Sequence, residues 1–422
     1  MGTLQALDNA DAHPLQPCTY SSDSLPIKQF FPQAGDTFKV IWLVSLYFLN
    51  DAFSTFYNAA FTALNARRTT NNKERGIFAA MDSIIGTAIG STGTYIAAFL
   101  PTLMPNLSEA ERYFYSYSFV VVLSIPFAFW NIVAAKERIT EPVYTTPAKL
   151  RVIYKNIIKN KPLVLYMISE ILGIGFGIGY SLMTYAFIAC FKAETFHITF
   201  FEGTAIEFTY HYTDGNYAQL MAFASAATFV TTGISLFIAP IMRKWFDDKI
   251  LYIGMRIGTF VCFIGMFLSV YPYEEKSPQH IFLMVVLWWA LHGFTTGFYN
   301  TIPGLIQMAI YDYGEYEFGE RNEATVSSLK DTLSKILTNC TTYLTNLFIA
   351  YIGYTEFAET PELMPIEAKK SLLYMFAIFP GAFSLISIIP MFFFKLSGKK
   401  HKEITKALEE RRQQCLDEIN KL

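Results

Sequence analysis

The chain has 422 residues, 52% hydrophobic and 17% aromatic against 16% charged, with a formal net charge of -2 and a mean hydropathy of +0.29. That balance excludes a soluble globular chain of this length and points to a polytopic membrane protein. The near-neutral charge offers no basic surface for nucleic acid, and no glycine loop followed by Lys-Ser/Thr is present to cradle phosphate.

Residues 1–37 form a polar segment without the basic and apolar regions of a secretory signal, so an internal helix is expected to begin insertion. A bilayer core of about 30 Å takes about 20 apolar residues per helix. About nine spans can be drawn, at roughly 38–63, 77–103, 113–135, 162–191, 217–240, 250–271, 280–310, 326–352 and 372–396. An all-α bundle is therefore expected, with a kink of the seventh span where Asn300, Pro303 and Gly304 fall. Five scattered cysteines (Cys18, Cys190, Cys262, Cys340, Cys415) show neither metal-ligand spacing nor a disulfide framework, and most read as small apolar fillers.

The connections alternate in charge. Arg67, Arg68, Lys73 and Arg75 follow the first span, Lys136 to Lys161 the third, and Arg243, Lys244 and Lys249 the fifth, whereas Glu109, Glu194, Glu274 and Glu356 mark the loops between. The positive-inside rule makes the basic loops cytoplasmic. The tail 397–422 is basic and then amphipathic, with Ile404, Leu408 and Ile419 available for one face, and reads as a cytoplasmic helix; an odd number of spans then places the N-terminus outside. The expected organisation is a polar segment 1–37, a partial helical half 38–135, a basic linker 136–161, a six-helix half 162–396 and the tail.

After the seventh span comes YDYGEYEFGERNEATVSSLKDTLSK, Tyr311 to Lys335. By composition, Tyr311 to Glu323 is a solvated turn whose glycines permit positive φ. The order of residues says more. It resembles the glycoside-pentoside-hexuronide:cation symporter family (the melibiose-carrier type) of the major facilitator superfamily, whose tenth helix ends in D-Y-G-E-W/Y-x-T-G-x-R-x-E. Asp312, Tyr313, Gly314, Glu315, Tyr316, Gly319, Arg321 and Glu323 match, Phe318 stands in the Thr position, and Lys335 falls where the family carries a lysine in helix eleven. The stretches IIKNKPLVLYMIS, YIGY and LYFLNDAFSTFYNAAFTAL are similar to the family's helix-seven start, helix-eleven end and helix four. On that alignment the spans correspond to helices four to twelve, and the first three are expected to be absent.

The resemblance implies sugar:cation symport by alternating access, with Na⁺ or H⁺ as coupling ion and no other cofactor, in the cell (inner) membrane. Asp51, a carboxylate inside a span, must face a cavity, an ion or a cation partner. It also matches the family's helix-four aspartate of the cation and sugar sites, although Phe48 and Thr55 stand where the family commonly has a hydroxyl residue and Trp. Lys335 follows Asp331 by one helical turn, which gives either a local ion pair or a cation linking the two halves. Asp312 to Glu323 would form a cytoplasmic gate. Weaker substrate candidates are Glu170 and His292, single polar residues suited also to interhelical hydrogen bonds, and Trp288 and Trp289, able to stack on a sugar or anchor at the interface. Gly173, Gly175, Gly177 and Gly179 read as close helix packing or a flexible gate. No catalytic constellation is present, so an enzyme is not expected; the alternatives are a non-transporting remnant or scaffold of the same fold and a lipid or amphiphile carrier.

Overall fold

The computed structural model describes residues 35–67, 109–134, 150–192, 194–200, 208–212, 217–319, 323–357, 363–396 and 398–419, with Thr360 and isolated positions between 74 and 96. Two compact units divide the chain, one from Met1–Phe53 and Ile89–Val133, the other from Ser54–Ala88 and Ala134–Leu422. The first holds most of the described part of two long helices, α1 (Asp36–Arg67, which continues into the second unit) and α2 (Glu109–Ala134). Val40, Val44, Tyr47 and Phe48 of α1 are exposed, as suits a helix whose surroundings are hydrocarbon. The expected span 77–103 lies mostly outside the described residues, and so does the expected linker up to residue 149.

The second unit is built on α3 (Leu150–Lys159), α4 (Lys161–Leu172), α5 (Ile174–Phe191), α6 (Tyr217–Met242), α7 (Asp248–Val270), α8 (Pro278–Phe318), α9 (Glu323–Tyr351), short α10 (Tyr354–Phe357), α11 (Ile366–Ile386), short α12 (Ile389–Phe392) and α13 (Gly398–Ile419). Between α5 and α6 the structure adds an antiparallel hairpin that composition does not signal, β1 (Phe196–Phe200) with β2 (Phe208–Tyr212), in which His197 faces His211. Among the described residues six segments are long and apolar enough to cross a membrane: Val40–Asn58, Lys161–Phe191, Gln219–Met242, Asp248–Val270, Pro278–Phe318 and Ile366–Phe392. α9 has the length, 29 residues, but is rich in Ser, Thr and Asn, and several of its buried positions (Ser327, Thr341, Thr345) carry hydroxyls.

Helix starts follow local chemistry. Asn160 accepts from the Leu163 N–H at 3.1 Å and Pro162 opens α4, while Ser277 accepts from His280 at the start of α8. Small residues then let helices approach. Gly293 and Gly297 of α8 lie where a Cβ would collide with α6, and there Thr231 Oγ1 donates to the Ala290 carbonyl (2.5 Å) and Thr232 Oγ1 to the Gly293 carbonyl (2.9 Å). Gly175 and Gly179 of α5 likewise sit against Phe383 and Pro380 of α11, and Gly177 faces Thr341 of α9. The alternating glycines are a packing surface.

One expectation is corrected. α8 runs as a single helix of 41 residues with Pro303, the place of the expected kink, inside it, and Thr301, Ile302, Pro303, Leu305 and Ile306 are all buried, so that tertiary packing supports the helix where local propensity weakens it. It also continues to Phe318, so the motif that reads as a turn from Tyr311 is mostly helix. Among the described residues of the motif, Gly319 alone is a turn residue, at φ +74°, its N–H bonded to the Glu315 carbonyl at 2.9 Å.

Candidate functional site

Past its first turn α7 carries a single charged residue, Arg256, which is 4% exposed. A buried guanidinium needs partners, and α4 and α7 supply them. Arg256 Nη2 donates to Tyr252 Oη at 2.9 Å and lies 3.5 Å from Glu170 Oε1. Tyr252 Oη donates to the same Glu170 oxygen at 3.2 Å, and Ser169 Oγ, 3.0 Å from Tyr252 Oη, donates to the Ser387 carbonyl at 2.6 Å. The guanidinium also stands 5.2 Å from the ring centres of Tyr252 and of Tyr299 on α8. On the α9 side, Lys330 Nζ lies 5.6 Å from the Tyr166 ring and donates to Gln307 Oε1 at 2.8 Å. Two buried atoms here have no hydrogen-bond partner: Arg256 Nε and Tyr166 Oη. The result is a charged and phenolic centre inside the bundle with hydrogen-bonding capacity to spare.

A second polar group closes the end of α8. Asp312, buried, lies with Oδ2 3.2 Å from His401 Nε2 of the tail helix α13, an ion pair when the imidazole is protonated. Ile404 and Leu408 bury the apolar face of α13, and Arg411 donates to the Tyr316 carbonyl at 3.2 Å while standing 5.0 Å from the Tyr316 ring centre. Beside it Arg243 forks onto Asp248 at 2.7 and 3.2 Å. At the far end of α7, Glu274 accepts from Lys370 Nζ at 2.9 Å, and that hydrogen bond holds its carboxyl below the usual carboxylate range.

A family model described as MFS/sugar transport protein matches residues 29–398. The chain belongs to that family. It is a multi-pass helical membrane transporter, not an enzyme. This transporter is 24% identical over 388 residues to an uncharacterized symporter, YjmB, of Bacillus subtilis, covering 90% of the chain and 75% of the relative. It is 22% identical to a lactose permease of Leuconostoc lactis (88% of the chain, 54% of the permease) and 22% identical to a putative 2,3-dihydroxypropane-1-sulfonate exporter of Escherichia coli (89% and 74%).

Within this MFS transporter the residues singled out from sequence fall in different places. Glu170 joins the Arg256 centre. Trp289 and His292 are core: Trp289 is 1% exposed, and the His292 ring sits 4.9 Å from that of Phe263 and 5.4 Å from that of Trp289. Trp288 is committed to packing, with its Nε1 donating to Ser269 Oγ at 2.9 Å and its ring against Gly265. Lys335 donates to Thr55 Oγ1, and Asp331 keeps a buried Oδ2 without a hydrogen-bond partner. Asp51 is half-buried in the first unit. In the motif, Tyr313 packs on the apolar core, Gly314 is helical with Asn160 alongside, Glu315 is half-buried and Glu323 buried; Arg321 lies outside the described residues. Sequence reasoning missed Arg256, Tyr252 and His401. The signal for Arg256 was present, a lone cation in an apolar span.

Proposed function

We propose that this transporter carries a sugar or glycoside together with Na⁺ or H⁺ by alternating access. The observation that supports this best is the Arg256–Glu170–Tyr252 centre: polar groups in the interior of a membrane bundle are costly, and two spare hydrogen-bonding atoms among tyrosine rings suit a polyhydroxylated solute. Asp51 is the coupling carboxylate in this reading, Lys335 a coupling cation, and the segment from Asp312, near the end of α8, to Glu323, at the start of α9, a gate on the cytoplasmic side.

Uptake of labelled glycosides into vesicles under an imposed Na⁺ or H⁺ gradient tests the proposal. Gradient-dependent accumulation is expected in the native chain and its loss in Asp51→Asn; accumulation unchanged in that variant would remove Asp51 from the mechanism. The exporter relative favours a second reading, outward movement of solute. Comparing inside-out with right-side-out vesicles separates the two directions.

A further inference from the structure

The end of the second unit where basic residues gather contains an open cavity of about 1050 Å³, lined by the α6–α7 loop, α8 and the start of α13. Its cations are Arg243, Lys244, Lys249 and Lys402, set against Asp247 and Asp248. Internal structure accounts for two of the four. Arg243 is paired with Asp248, and Lys249 Nζ donates to the Phe392 and Phe394 carbonyls at 3.1 and 2.8 Å. Lys244 and Lys402 are exposed and, among the described residues, have no ion-pair partner.

The surroundings decide what kind of anion fits. Trp245 is 71% exposed and Phe246 is exposed beside it, directly after Lys244, an arrangement that seats aromatic rings at headgroup level with a cation next to them. The inner wall is apolar, from Ile306, Ala309 and Leu396. The Lys249 bonds tie the cavity edge to α12, whose Ile389 and Phe392 are exposed as a lipid-facing surface. A free ion would use only the lysines; an amphiphile uses the lysines, the rings and the apolar wall together.

We propose that this cavity binds the phosphate headgroup of an anionic phospholipid, with Lys244 and Lys402 holding the charge, Trp245 and Phe246 at the interface, and the acyl chains running along α12. Lysines close to a membrane surface contribute enough attraction to anionic lipid that removing both should weaken binding roughly 30-fold.

The test uses the purified full chain in neutral detergent. Native mass spectrometry and thermal melting are followed with phosphatidylglycerol, with phosphatidylcholine of the same acyl chains, and with inorganic phosphate. Phosphatidylglycerol is expected to stay bound and raise the melting temperature, and the other two are not. The Lys244→Gln/Lys402→Gln variant should lose most of that retention while melting like the native chain without lipid, and Lys244→Arg/Lys402→Arg should keep it. Equal retention of the two lipids, undiminished affinity in the glutamine variant, loss in the arginine variant, or an equal effect of inorganic phosphate would each overturn the proposal.

Discussion

Arg256 and His401 each face a carboxylate on another helix, yet the two pairs are held in opposite ways. Arg256 lies inside an apolar span, permanently charged, and its neighbours Glu170, Tyr252 and Tyr299 come from three helices. His401 sits at a helix end and shares the work of fixing α13 with Ile404, Leu408 and Arg411. A missing partner strands a charge in the first place and loosens a clasp in the second.

The largest expected effect follows from the first. Arg256→Met should lower stability by roughly 3 kcal/mol, toward the lower end for a broken buried pair because the Glu170 side chain keeps 21% exposure. Replacing both charges, Arg256→Met with Glu170→Gln, should recover much of the loss in detergent melts. A double variant as unstable as the sum of the two singles would mean that the pair does not act as a unit.

Asp312→Ala tests the clasp. It should cost about 1 to 2 kcal/mol and speed tryptic cleavage within α13, after Lys402 and Lys406, with His401→Ala adding little on top. Unchanged cleavage would show that Ile404 and Leu408 hold the helix by themselves.

The smallest effect belongs to the exposed pair at the far end of α7. Because Lys370 lowers the Glu274 carboxyl, the pair stabilises the fold above the usual carboxylate range, and that contribution disappears as pH falls through the lowered value. Glu274→Gln should flatten only this acid limb of a melting-versus-pH curve. A change at neutral pH as large as that of Asp312→Ala would erase the contrast between exposed and buried pairs.

Much of the fold is legible in the sequence because hydrocarbon solvent imposes one rule, long apolar helices, and expected spans such as 250–271 and 162–191 fall close to Asp248–Val270 and Lys161–Phe191. The α5 glycines were legible as packing for the same reason, since only small residues let α11 come so near. Other features depend on long-range contacts. Asp312 belongs to a recognisable motif, but its partner His401 is 89 residues away, and nothing local links them. Trp289 and His292 could be substrate ligands or core by sequence; their burial among Phe263 and Phe376 is a tertiary fact. Local signals also ended α8 too early, because the glycines of the Tyr311–Glu323 motif read as turn residues where the helix continues through Gly314 to Phe318.

The interruption between α4 and α5 has one more consequence. Gly173 closes α4, its N–H returning to the Ser169 and Glu170 carbonyls, and Arg256 Nη1 stands 3.5 Å from where a Cβ on Gly173 would be. The guanidinium thus lies at the joint, its positive charge beside the negative end of the α4 dipole. A side chain at position 173 would therefore meet the guanidinium, which ties the choice of glycine at this joint to the ion pair beside it.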